Sequence, residues 1–113
     1  MHEIKIAEEL SAIVIRTAAG SELTKVYKVN VCFGEFVQVV PAIFEFAFRE
    51  AVRETSASDA LLDIEIIPAE LRCLTCGTVY RPDGGTYACG ICGSVEIAVV
   101  HGKELFIKSI EGD

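Results

Sequence analysis

Between Glu3 and Ala19, apolar residues recur at spacings of three and four. Ile6, Ala7, Leu10, Ile13 and Val14 fall on one side of a helix, with Lys5, Glu8, Glu9 and Arg16 on the other. The pattern predicts an amphipathic helix ending near Gly20, interrupted only by Ile15. From Lys25 to Gly34 the period changes to two. Tyr27, Val29, Val31 and Phe33 share one face, and Lys28, Asn30 and Cys32 the other, as in a half-buried strand. Pro41 suits the first turn of a second helix, because its fixed φ is helical and its missing N–H would have had no partner there. Ile43, Phe44, Ala47, Phe48, Ala51 and Val52 supply that helix with an apolar stripe that runs out at Glu54-Thr55. Residues 60–67, ALLDIEII, return to period two with Leu62, Ile64 and Ile66 inward, and Pro68 ends the strand. Two later strand-like runs, Val95 to Val100 and Glu104 to Ile110, are joined by His101-Gly102-Lys103, which reads as a tight hairpin turn.

Residues 71–93 break this rhythm with four cysteines, five glycines and one proline, and few large apolar side chains. Such a segment cannot build its own core, so another agent must hold it together. The order of elements predicts an α+β fold: two helices on one face of a small mixed or antiparallel three-stranded sheet, the last strand returning to complete it, with an inserted zinc-ribbon-like tetracysteine module. The expected division is an α+β domain of residues 1–70 plus 102–113 and a metal-binding module of residues 71–101.

Composition narrows the function classes. The chain has 113 residues, 51% apolar and 24% charged, enough to bury one core and too short for a dinucleotide-binding domain with a separate substrate domain. Seventeen acidic against ten basic residues leave a formal charge of −7, which argues against nonspecific contact with nucleic-acid phosphates. No apolar run reaches the roughly 18 residues of a membrane span. Met1-His2-Glu3 lacks the basic and apolar regions of a signal peptide, so the expected location is the cytoplasm, where thiols persist.

Cys73, Cys76, Cys89 and Cys92 form C-x2-C-x12-C-x2-C, the spacing of a structural zinc site. Two intervening residues let one tight turn aim both sulfurs of a pair at the same ion, and Gly77 and Gly93 follow each pair where the backbone must fold back. Four thiolates saturate a tetrahedral ion and leave no position for water or substrate, so the module reads as a fastener. Loss of four thiol protons and gain of Zn(II) take the formal charge from −7 to −9. Paired CxxCG knuckles also make mononuclear iron sites, which are red, so an absorption spectrum separates a rubredoxin-like electron-transfer role from a zinc one. A nucleic-acid-binding zinc ribbon is disfavoured, since Arg72 and Arg81 are the only basic residues from 71 to 93.

His2 draws attention by position. A terminal amine, the amides of residues 2 and 3 and the imidazole are closely spaced nitrogen donors, which close five- and six-membered chelate rings; a planar nitrogen set suits Ni(II) or Cu(II) rather than Zn(II). Met1-His2-Glu3 opening a helix, then KVYKVNVCFGE (25–35), FEFAF (44–48) in a Pro-led helix, Thr55, ALLDIEIIPAE (60–70), the two CxxC pairs and GKELFIKSIE (102–111) together resemble the HypA/HybF nickel-hydrogenase maturation factors over essentially the whole chain. One local departure is Gly90 in CGIC, where many relatives have proline.

The resemblance implies a nickel metallochaperone rather than an enzyme. It maps transient Ni(II) cargo onto Met1, His2 and Glu3, with His2 supplying the imidazole, and structural Zn(II) onto Cys73, Cys76, Cys89 and Cys92. The implied partners are the maturation GTPase HypB and the large subunit of [NiFe]-hydrogenase, with urease maturation proteins in some members; nucleic acid and membrane are not implied. His101 either serves as a fourth nickel ligand or simply occupies its turn. Glu3 has two readings, a carboxylate favoured at a helix N-terminus and a supplier of backbone nitrogen, or a carboxylate contact, to the cargo. Cys32 reads as a buried or half-buried free thiol without an identifiable ligand set. No P-loop is present, so nucleotide hydrolysis coupled to nickel transfer belongs to a partner, and the two histidines, 99 residues apart, carry no nucleophile motif. The competing readings are a zinc-stabilised protein-interaction adaptor that does not handle nickel, and the rubredoxin-like module.

Overall fold

The structure, a computed structural model, describes residues 2–82 and 86–113. In chain order the elements are α1 (His2–Gly20), β1 (Val26–Gly34), a 3-10 turn (Glu35–Val37), α2 (Pro41–Ala51), β2 (Leu61–Ile67), β3 (Glu70–Cys73), β4 (Val79–Tyr80), β5 (Ile97–His101) and β6 (Leu105–Gly112). They form two three-stranded sheets, one ordered β2-β1-β6 and the other β4-β3-β5. The first is the expected sheet, closed by the expected returning strand. The second was not anticipated, because β4 has two residues and no periodicity to read.

The chain divides into two compact units. The first runs to Cys32 and adds Val39–Glu65 and Phe106–Asp113; the second is Phe33–Gln38 with Ile66–Leu105. Both helices lie in the first unit and pack on each other. Its interior is built by Ile6, Ala7, Leu10, Val14 and Ala18 of α1, Val26, Val29 and Val31 of β1, and Phe44 and Phe48 of α2, all buried. Phe44 and Phe48 are one helical turn apart with ring centroids separated by 5.9 Å. Phe48 is fully buried, so Phe48→Ala is expected to cost about 3–5 kcal/mol, read as a lower urea midpoint with little change in slope.

Pro41 occupies the first turn of α2, as its missing N–H demands. Three side chains depart from the periodic reading. Ile13, Ile66 and Tyr27 share faces expected to point inward but are 38%, 44% and 44% exposed, while Cys32, expected to be buried or half-buried, is 2% exposed. Position 11 shows why the helix stripe shifts: Ser11 is buried and its hydroxyl donates to the Glu8 carbonyl at 2.9 Å, so the buried stripe runs 3, 6, 7, 10, 11, 14, 18 and turns away from Ile13. On β1, the Tyr27 hydroxyl donates to the Asp113 carboxylate.

The expected hairpin at His101-Gly102-Lys103 does not form. β5 pairs antiparallel with β3, Leu71 facing Val99 and Cys73 facing Ile97, whereas β6 joins β1 in the other sheet. The intervening residues are claimed by the end of β1 instead: the Gly34 N–H donates to the Glu104 carbonyl at 2.7 Å and the Phe36 N–H to the Gly102 carbonyl at 2.8 Å. That approach needs two glycines, since a Cβ on Gly34 would lie 2.0 Å from the Gly102 carbonyl carbon, and Gly102 itself has φ +124.

Candidate metal centre

Two near-identical knuckles present the sulfurs. In the first, the Cys73 N–H donates to the Thr78 carbonyl at 2.8 Å, the Gly77 N–H to the Cys73 carbonyl at 2.9 Å, and the Cys76 N–H points at the Cys73 Sγ at 3.4 Å. The second repeats the pattern: Cys89 N–H to the Ser94 carbonyl at 2.9 Å, Gly93 N–H to the Cys89 carbonyl at 2.8 Å, and Ile91 N–H to the Cys89 Sγ at 3.4 Å. The glycine after each pair sits at positive φ, +81 at Gly77 and +74 at Gly93, so the sequence reading of those glycines holds for a steric reason. Thr75 and Ser94 join the knuckles through a 2.9 Å hydroxyl contact.

All four sulfurs lie within 4.8 Å of one another. Cys73 and Cys92 are 3.5 Å apart and Cys76 and Cys89 3.6 Å. A tetrahedral ion with Zn–S bonds of about 2.3 Å sets its sulfurs about 3.8 Å apart, so the donor set fits such an ion. Cys73 and Cys89 are buried and Cys76 and Cys92 exposed. Their electrostatics show what four crowded thiols do by themselves. The Cys76 N–H, assisted by neighbouring donors, pulls the Cys73 thiol down to about 6. Cys92, despite a favourable backbone hydrogen bond at Ser94, is pushed up to about 12 by the sulfur of Cys73, by burial and by the other two sulfurs. Four thiolates cannot coexist at this spacing without a cation, and four sulfurs around it leave no coordination position for chemistry.

The other sequence-predicted donors are not members of this cluster. His2 opens α1 with its side chain 52% exposed and Nε2 3.8 Å from the Glu3 carboxylate. Glu3 is only 6% exposed; its Oε2 accepts the Val40 N–H at 3.2 Å, at the residue preceding α2. Its own backbone N–H, that of Val40 and the charge of His2 hold the carboxyl below its usual range. Glu3 therefore ties the start of one helix to the start of the other, a role that sequence spacing could not reveal because its partner is 37 residues away. Met1 lies outside the described residues.

His101 ends β5 in the second unit, while His2 belongs to the first. Its Nδ1 is 2.8 Å from the Glu104 Oε2, and the other oxygen of Glu104 accepts the Gly102 N–H at 2.6 Å. These two bonds hold the Glu104 carboxyl below its usual range. Cys32 lies far along the chain from the knuckles, with its Sγ 3.8 Å from the Glu65 carboxylate, and belongs to no cluster of metal-ligating side chains among the described residues.

Comparison with known proteins decides the family. The profile described as "Hydrogenase/urease nickel incorporation, metallochaperone, hypA" matches residues 1–112. The chain belongs to the HypA family. Hydrogenase maturation factor HypA of Dehalococcoides mccartyi is 34% identical over 113 residues, spanning 100% of this chain and 95% of that protein. The HypA of Desulfosudis oleivorans is 36% identical over 112 residues, 98% of this chain and 97% of that one. The solution structure of the Ni metallochaperone HypA from Helicobacter pylori is similar with a TM-score of 0.70 at 28% identity, covering 97% of this chain and 96% of that one. A second HypA solution structure reaches 0.74 at 29% identity, covering 99% and 96%. HypA proteins are nickel metallochaperones for hydrogenase maturation, not enzymes, which answers the rubredoxin-like and nickel-free adaptor readings at the level of the family. No helix among the described residues is long and apolar enough to cross a membrane.

Proposed function

We propose that this HypA chain loads Ni(II) at Met1, His2 and Glu3 and passes it to a nickel enzyme under maturation, while Cys73, Cys76, Cys89 and Cys92 hold a structural Zn(II). The observation that carries the reading is the contrast between the two donor sets. The sulfurs form a closed tetrahedral cluster in the second unit, whereas His2 is an exposed imidazole at the start of α1 in the first. A closed cage retains its ion; a terminus exchanges donors with an acceptor one at a time. The terminal nickel donors thus belong to the first unit and zinc binding to the second. The partners are the GTPase HypB, the large subunit of [NiFe]-hydrogenase and, for urease, its maturation proteins, all in the cytoplasm.

Within the nickel site the chain's own groups divide the work. The His2 ring supplies an imidazole nitrogen, the amides of residues 2 and 3 and the Met1 amine complete a nitrogen set, and the buried Glu3 carboxylate ties residue 3 to Val40, which precedes α2. His101 is the alternative to the Met1 amine as fourth donor: its contact with Glu104 favours a proton on Nδ1, leaving a lone pair on Nε2. The test blocks the terminus. With zinc retained, an amino-terminal extension or acetyl group is expected to abolish tight Ni(II) binding in calorimetric titration; unchanged affinity overturns the terminal site. Metal analysis of the purified protein is expected to return one zinc and a colourless solution, and a red iron protein overturns the zinc assignment.

A further inference from the structure

Helices α1 and α2 leave a groove of about 320 Å³ in the first unit, lined by Ile4 and Glu8 of α1 and by Phe46, Ala47, Glu50 and Ala51 of α2. Phe46 is 71% exposed and Ile4 41%. A phenylalanine standing out of a helix beside a second apolar side chain forms a contiguous patch, not a scattered surface residue. The groove exists because the stripe of α2 turns from Phe44 and Phe48 to the small Ala47 and Ala51 on this side, leaving space where larger residues would fill it.

We infer that this groove docks a helical segment of the nickel acceptor that presents a large apolar side chain flanked by lysine or arginine. The lining supplies the chemistry. Ile4 and Glu8, Phe46 and Glu50, and Ala47 and Ala51 are each four residues apart, so apolar floor and acidic rim repeat with the helical turn that an incoming helix also has. Both charged groups in the lining are carboxylates. Glu8 has no ion-pair partner among the described residues, and the 2.6 Å pair of Glu50 with Arg53 is an exposed contact that an incoming cation can replace. The same carboxylates disfavour other occupants: a second copy would bring Glu8 and Glu50 against their like, and anionic lipid would meet an acidic rim on a chain of net charge −7. The groove begins two residues after His2 on the same helix, so a segment seated there lies beside the proposed nickel donors.

The inference rests on the nickel-delivery reading for the partner's role but not for the groove, and the test separates the two. The isotope-labelled zinc-loaded protein, free of nickel, is titrated with a short helical peptide of leucine and lysine and with its counterpart bearing glutamate at every lysine. The lysine peptide is expected to shift the amides of Ile4, Glu8, Phe46, Ala47 and Ala51 selectively. Phe46→Ser, at an exposed position, is expected to weaken it by about tenfold or more, the range of an interface anchor. The pair Glu8→Lys and Glu50→Lys is expected to reverse the preference to the glutamate peptide. Ni(II) affinity of Phe46→Ser should equal that of the wild type, so a failed nickel site leaves the groove result standing. Equal response to both peptides, shifts confined to other surfaces, or a lowered nickel affinity in Phe46→Ser overturns the inference. So does a concentration-dependent dimer, or binding to anionic phospholipid vesicles, that Phe46→Ser abolishes, since either names a different occupant.

Discussion

Replacing His2 by alanine, with zinc retained, is expected to lower Ni(II) affinity by more than the roughly 10–100-fold that loss of an outer-shell partner costs a metal site. The reason is the donor count. A planar nitrogen set draws most of its stability from fused chelate rings, and removal of the imidazole opens the six-membered ring that the amide of the same residue closes. His2 is exposed and at the first described position of α1, so its removal leaves the buried stripe intact and the circular dichroism of the variant should match the wild type. Because the donors must lose protons to bind, affinity in the wild type is expected to rise with pH, and the slope should flatten in His2→Ala. Isothermal titration at several pH values reads both effects, and equal affinities for the two proteins would remove the terminal site from the mechanism.

Cys73→Ser is expected to have the larger structural effect. Cys73 is buried and closes the first knuckle with its backbone and its sulfur together, so the serine variant loses a ligand and the organising centre of a segment with almost no apolar interior. Structural zinc supplies about 10–16 kcal/mol of apparent binding free energy in small modules, far more than the few buried side chains of the second unit, Ala69 and Leu71 among them, can replace. Unfolding should therefore be local. Both helices belong to the first unit, so the helical dichroism should persist while amide protection collapses around residues 71–80 and 86–101. Removal of zinc from the wild type by a strong chelator should reproduce the same pattern, and simultaneous loss of the helices would show that the two units unfold together.

The candidate site was legible where chemistry is written into local spacing. The C-x2-C-x12-C-x2-C run and the glycine after each pair specify a knuckle without any long-range information, because each turn is closed by its own backbone within five residues. The helices and the central strand were legible for the same reason, their periods of 3.6 and 2 being properties of single segments. Failures came where a residue's environment is set by a distant segment. Ile13 and Ile66 fit their stripes and are nonetheless exposed, and Tyr27 shares a face with buried Val29 and Val31 and is nonetheless exposed. The hairpin at His101-Gly102-Lys103 was locally plausible, yet Gly34 and Phe36 claim its carbonyls and send β5 and β6 to different sheets.

Sequence by itself thus determined the element types, the four-sulfur ligand set, the acidic charge and, through the order of its motifs, membership of a nickel-incorporation family. Tertiary structure alone decided that Glu3 is a buried anchor on Val40, that Glu104 orients His101, and that Phe46 stands over a groove rimmed by carboxylates. The physical reason is range. A knuckle or a helix face is satisfied by neighbours in the chain, whereas a buried carboxylate needs an N–H that only folding brings to it, and a groove exists only once two helices have been packed side by side.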